Sequence, residues 1–104
     1  MTTIDLPIIL FTSTALFGIG LFGVLTQKSA IRILISVEIL LNSANINFVA
    51  FSTYSEGYDG WTMALFVMAI AAAEAAIGIA IFLNVFRRFG SVNVPSLVGL
   101  REEV

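Results

Sequence analysis

Two glutamates stand far from any other acid in this chain. Glu38 lies in the apolar stretch from Ile31 to Thr53, and Glu74 in the stretch from Trp61 to Phe86. A charged side chain at the centre of a bilayer costs about 2.5–3.5 kcal/mol on insertion scales, so two in so short a chain point to a use. A carboxyl group withdrawn from bulk water can accept a proton from a water chain and pass it on, and acids in series form the proton relays of membrane pumps. The alternative is a buried polar group that fixes helix packing. Asn42 and Asn45 follow Glu38 by four and seven residues, on the same helical face. They can hold water or a partner helix along a path, or act as interhelical glue worth roughly 1 kcal/mol. Asn47 falls on the opposite side, and Ser36 and Ser43 add hydroxyls elsewhere.

Depth can be counted from the basic residues. Glu38 comes six residues after Arg32, roughly 9 Å below the positive interface, and Glu74 thirteen before Arg87, roughly 20 Å below it. The expected difference, on the order of 10 Å, requires a bridge of water or of a neighbour's polar side chain. Other chemistry is excluded by composition. With no Cys and no His, the chain has no thiolate or imidazole for a zinc site, haem or cluster, so neither a metal site nor a cofactor is expected in it. A net charge of −2 with five basic residues gives no phosphate-tracking surface, which excludes nucleic acid. No nucleophile–base pair is present, so the chain is not catalytic alone.

The elements that position these residues are membrane spans. Hydrophobic residues make up 59% of the 104 and charged ones 12%, with a mean hydropathy of +1.02, far from an average soluble domain. A chain this small has too much surface per volume to hide that apolar material from water. Leu6 to Thr26, Ile31 to Thr53 and Trp61 to Phe86 each reach the roughly 30 Å needed to cross a hydrocarbon core. The expected fold is therefore a single all-α membrane unit, residues 1–104, with helices at about 6–26, 31–53 and 61–86. The first stretch reads as a retained helix, because its leading segment has Asp5 and no cation and no small-residue cleavage site follows. Pro7 suits a first turn.

Short connections, Gln27 to Ala30 and Tyr54 to Gly60, force an up-down-up order. Tyr54, Tyr58 and Trp61 gather at one end as an interfacial belt. Lys28 and Arg32 at the first loop share a side with Arg87 and Arg88, while Asp5, Glu56 and Asp59 occupy the other. The positive-inside rule then puts the N-terminus outside and the C-terminus in the cytoplasm. The tail, 87–104, broken by Pro95, is expected to strap against a neighbouring protein.

Gly18-Ile19-Gly20-Leu21-Phe22-Gly23 matches the letters of a dinucleotide fingerprint, but it lies inside an apolar helix with no strand before it. Close helix packing is the reading, together with the small pair Thr14 and Gly18. The third span carries Ala69, Ala71, Ala72, Ala73, Ala75, Ala76 and Gly78 around Glu74, a surface smooth enough to lie between other helices. Gly78, one turn after Glu74, leaves room for water or a partner.

Val37-Glu38-Ile39-Leu40-Leu41-Asn42-Ser43-Ala44-Asn45-Ile46-Asn47 resembles the second helix of the NuoK family, and Ala71-Ala72-Ala73-Glu74-Ala75-Ala76-Ile77-Gly78 resembles its third. That family is the small three-helix membrane subunit of respiratory complex I and its relatives, called the 4L subunit in mitochondria. The resemblance implies a non-redox subunit of a proton-pumping oxidoreductase in an energy-converting membrane, of prokaryotic plasma-membrane or thylakoid type. It further implies neighbours on two sides, the quinone-proximal subunits and the antiporter-like ones, with Glu38 and Glu74 matching the two intramembrane glutamates of the hydrophilic axis that couples quinone reduction to proton translocation. The electron donor stays open among NADH, ferredoxin and a reduced deazaflavin, and the acceptor between a quinone and a phenazine-type carrier. In the first loop the family often has two basic residues and an asparagine, where this chain has Gln27, Lys28 and Ser29. Other classes weighed against this are a small proton-coupled transporter subunit and a purely structural membrane subunit. Drug/proton antiporters of this size have four spans and a glutamate in the first helix, neither of which is read here.

Overall fold

A computed structural model describes residues 5–55 and 57–98. Glu56, which the sequence reading set in the second loop, and residues 99–104 of the tail lie outside the described residues. The described chain is helical, with α1 at Leu6–Thr26, α2 at Ala30–Ser55, α3 at Asp59–Phe89 and a short α4 at Val94–Val98. The first three are long and apolar enough to cross a membrane. At 1.5 Å per residue they measure about 31, 39 and 46 Å. The molecule is a rod of 60 × 23 × 21 Å.

Helix limits follow local chemistry rather than the edges of the apolar stretches. Pro7 lies in the first turn of α1, where its missing N–H costs nothing. The third helix begins at Asp59 and ends with Arg87 and Arg88 in its last turn, charges that oppose the helix dipole at both ends. It runs three residues past the apolar stretch and stops at Gly90, whose left-handed backbone (φ 73°) lets its N–H reach the Phe86 carbonyl at 2.7 Å.

The centre of the array is α2, with α1 against one side and α3 against the other. There is almost no apolar core: among the described hydrophobic residues only Ala50 and Ala64 are buried, while Phe11, Phe22, Leu25, Leu65 and many others face outward. The other buried side chains are polar and small, namely Ser13, Ser36, Ser43, Ser52 and Asn45. A soluble protein is built the other way round, and this pattern suits a molecule whose outer face meets lipid or other helices.

The tail makes contacts within the chain. After Gly90 the chain folds back on its own first loop, where Ala30 N–H donates to the Val92 carbonyl at 3.0 Å and Val94 N–H donates to the Lys28 carbonyl at 2.9 Å. The described part of the tail is thus tied to this chain's own first loop. Carbonyl and N–H groups left free at the start of α2 give it a partner at hand.

Candidate functional site

Two faces of α2 are identified by their contacts. Toward α1 stand Ser36, Leu40, Ser43 and Asn47. A Cβ on Gly20 would meet Leu40, one on Gly23 would collide with Ser36, and Ser13 Oγ donates to Asn47 Oδ1 at 2.7 Å. Toward α3 stand Leu34, Phe48 and Ser52: Leu34 covers Gly78, the Phe48 carbonyl presses on Gly60, and Trp61 N–H donates to Ser52 Oγ at 3.1 Å. Steps of four and three residues carry the second face through Leu34, Glu38, Leu41, Asn45, Phe48 and Ser52.

Glu38 and Asn45 therefore share the seam between α2 and α3. Asn45 is 9% exposed and Glu38 is half-buried. Glu38 Oε1 and Asn45 Oδ1 are both buried, and neither has a hydrogen-bond partner among the described residues. Asn42 departs from the expected stripe, since it is exposed while Asn45 is buried. Four residues at 100° each advance 40°, which carries Asn42 past the rim of the seam. Asn47 faces α1.

Glu74 stands differently. Ala71, Ala75 and Gly78 are half-buried against α2, whereas Glu74, with Ala72, Ala73 and Ala76, is exposed. Its carboxyl group leaves the chain's outer surface, where another subunit or lipid must meet it.

The depth expectation needs correction. Leu34 packs on Gly78, Glu38 is one turn after Leu34, and Glu74 is one turn before Gly78. In antiparallel helices those two steps run the same way, so the glutamates lie at matched depth, to within about one turn or roughly 5 Å. The contact of Ser52 with Gly60 keeps the same register at the other end of the seam. Counting from the arginines failed because α3 overshoots α2: Arg87 and Arg88 lie in turns beyond the level of Arg32, and the tail returns from there. Gly78 is also less open than expected, because a Cβ there would sit 3.3 Å from Leu34 Cδ2.

Of the loop residues, Lys28 is exposed with its carbonyl tied to Val94, and Arg32 is exposed at the mouth of a crevice between α1 and α2 with Gln27, Ile35 and Phe22. Neither approaches the glutamate seam. The Ser13–Asn47 pair had no spacing signal in the sequence. The signal that existed was the serines within α1 and α2, because a hydroxyl that bonds its own helix, as Ser36 does to the Arg32 carbonyl at 2.8 Å, lets two backbones close up.

Comparison with known proteins fits this arrangement. Residues 8–102 match the family described as NADH-ubiquinone/plastoquinone oxidoreductase chain 4L. A protein of Chlorobaculum tepidum named NADH-quinone oxidoreductase subunit K is 51% identical over 90 residues, covering 86% of this chain and 84% of the relative. Proteins of the same name from Flavobacterium johnsoniae and Anaeromyxobacter dehalogenans are 46% and 45% identical, over 88% and 89% of this chain and 87% and 94% of theirs. Three lipid-length helices and a match across nearly their whole extent lead to one conclusion: the chain belongs to the chain 4L family of NADH-ubiquinone/plastoquinone oxidoreductases.

Proposed function

We propose that this chain is a small membrane subunit of a complex I-type proton-pumping oxidoreductase, and that Glu38 and Glu74 are neighbouring stations on its proton path. Family membership supports the first part. The observation that carries the second is the placement of two carboxyl groups at matched depth in lipid-length helices, one turned into the α2–α3 seam and one turned out of the chain. A relay needs such a hand-over: Glu38 exchanges protons inside this subunit and Glu74 exchanges them with the next. Each carboxyl group gains a proton from one side and gives it up on the other, so neither is consumed. The chain moves no electrons and binds no redox cofactor in this reading.

Its neighbours are antiporter-like subunits and quinone-proximal subunits, with NADH as donor and a quinone as acceptor, as the relatives' names suggest. The membrane is a prokaryotic plasma membrane or a thylakoid-type one. The N-terminus faces outside, and Lys28, Arg32, Arg87 and Arg88 face the cytoplasm or its equivalent.

The test is Glu38→Gln and Glu74→Gln, singly and together, in the assembled complex in membrane vesicles. Each single variant is expected to assemble and to lower donor-driven acidification by on the order of tenfold or more, the usual worth of a positioned proton carrier. Native acidification in the double variant would refute the relay and leave a packing role.

A further inference from the structure

We propose that the crevice between α1 and α2 at the basic end of the molecule binds one anionic phospholipid, with its phosphate on Arg32 and one acyl chain laid between the helices. The inference needs only the membrane spans and is independent of the relay. The crevice arises where the two helices approach most closely. At Gly23 and Ser36 both side chains are so small that nothing fills the groove above their contact, while Phe22 and Ile35 stand exposed on its two banks. Its volume is about 370 Å³. Along α2 it runs from Arg32 to Ile39, seven residues or roughly 10 Å. Gln27 shares the Arg32 end, and Ile19 shares the other.

The two ends differ in chemistry as the two ends of a phospholipid do. Ile19 and Ile39 lie toward mid-membrane, at the depth of acyl chains, and Gln27 and Arg32 lie at the helix ends, at the depth of the phosphate. Arg32 is exposed and forms no ion pair among the described residues, and no acid among them lines the crevice. Its stem can lie along the apolar wall while the guanidinium reaches the interface. There the planar fork offers two parallel N–H donors to two phosphate oxygens, the recognition for which Arg is suited. The Gln27 amide has N–H groups for a further oxygen. Lys28, exposed beside Gln27, adds a second cation and disfavours headgroups that carry an amine. Lipid tails are as apolar as the walls, so Phe22 and Ile35 guide the chain without preferring one lipid over another. Selectivity rests on charge at the mouth. A neighbouring helix, about 10–12 Å across with its side chains, would ride on Phe22 and Ile35 and leave the floor empty, whereas a single chain reaches it.

The experiment places the assembled complex in phosphatidylcholine bilayers containing a trace of photoreactive lipid, either phosphatidylglycerol or phosphatidylcholine with the same diazirine on its acyl chain. Cross-links are then located by peptide mass spectrometry. The anionic probe is expected to label the segments holding Phe22 and Ile39 roughly fivefold more than the zwitterionic one, the usual worth of one cation near the surface. Arg32→Gln is expected to bring that ratio to about one, and a ratio left at its native value overturns the proposal. Ile35→Trp, which fills the crevice and spares the charge, is expected to lower labelling by both probes. Equal labelling by the two probes in the native complex marks ordinary surrounding lipid and overturns the proposal. Labelling by neither means that a neighbouring subunit covers the crevice, which overturns it as well. Inorganic phosphate at constant ionic strength is expected to leave the ratio unchanged; if it abolishes the preference, the ligand is a free anion and the lipid assignment fails. Should Arg32→Gln not assemble, Ile35→Trp decides: native labelling by the anionic probe in that variant overturns the proposal.

Discussion

At Gly23 a side chain has nowhere to go, because Ser36 fills the place a Cβ would take; a Cβ on Gly18, five residues earlier, would meet no other described element within 4 Å. The two glycines of one apparent motif thus belong to different surfaces. Gly23→Val forces α1 off α2 and is expected to cost about 1–3 kcal/mol, the usual range for overpacking a tight contact. Gly18→Val leaves the isolated α1–α2 pair intact. Unfolding in mixed detergent, followed by loss of helical signal, is expected to shift for the first variant and stay put for the second. Should Gly18→Val instead block incorporation into the complex, its outward face is a contact with another subunit. The same contrast separates the glutamates, since Glu38 answers to what fills its own seam and Glu74 to whatever lies outside the chain.

Between helices, the decisive quantity is register. Small residues let α3 slide close to α2, with Gly60 against Ser52 and Gly78 under Leu34, and those two contacts bring Glu38 and Glu74 level. Cysteines make this testable, because the chain has none of its own. The pair Leu34→Cys with Gly78→Cys is expected to cross-link under mild oxidation in membranes, since disulfides require Cα atoms about 4.4–6.8 Å apart. The pair Leu34→Cys with Val85→Cys, which counting from Arg32 and Arg87 brings to one level, is expected to stay reduced. The opposite result restores the depth difference of roughly 10 Å and separates the two acids. On the other seam the Ser13–Asn47 hydrogen bond is worth only about 0.6 kcal/mol by the average for such bonds in membranes, so Ser13→Ala is expected to assemble normally.

The described molecule is a rod with most large apolar side chains outward and a few small polar ones buried between helices. Such a chain gains little from its own core and depends on neighbours, which accords with a family whose members are subunits. Its tail ties the end of α3 to the start of α2 through Val92 and Val94. Val94→Pro removes the N–H that reaches the Lys28 carbonyl and is expected to expose the tail to protease in the assembled complex, with full-length chain lost faster on a gel. The proposed orientation rests on charge: Lys28 and the two arginines in the last turn of α3 share one side, and Asp59 takes the other. Impermeant amine reagent is expected to modify Lys28 in inverted vesicles and not in right-side-out ones; modification in the second preparation alone reverses the assigned topology.

The sequence by itself determined the solvent, the number of membrane-length helices and which residues are candidates for the chemistry. These are set by quantities that add up locally: about 20 apolar residues span a bilayer whatever surrounds them, and an acid among them is costly in any fold. It also carried the family, through the residues on either side of Glu38 and Glu74. Tertiary structure alone decided how those acids stand to one another. The level of Glu38 against Glu74, the inward turn of Asn45, the outward turn of Asn42 and the return of the tail depend on where one helix stops against the next. That stopping point is fixed by contacts such as Leu34 on Gly78 and Ser36 on Gly23, and side chains far apart in the chain leave no periodic trace of such a meeting.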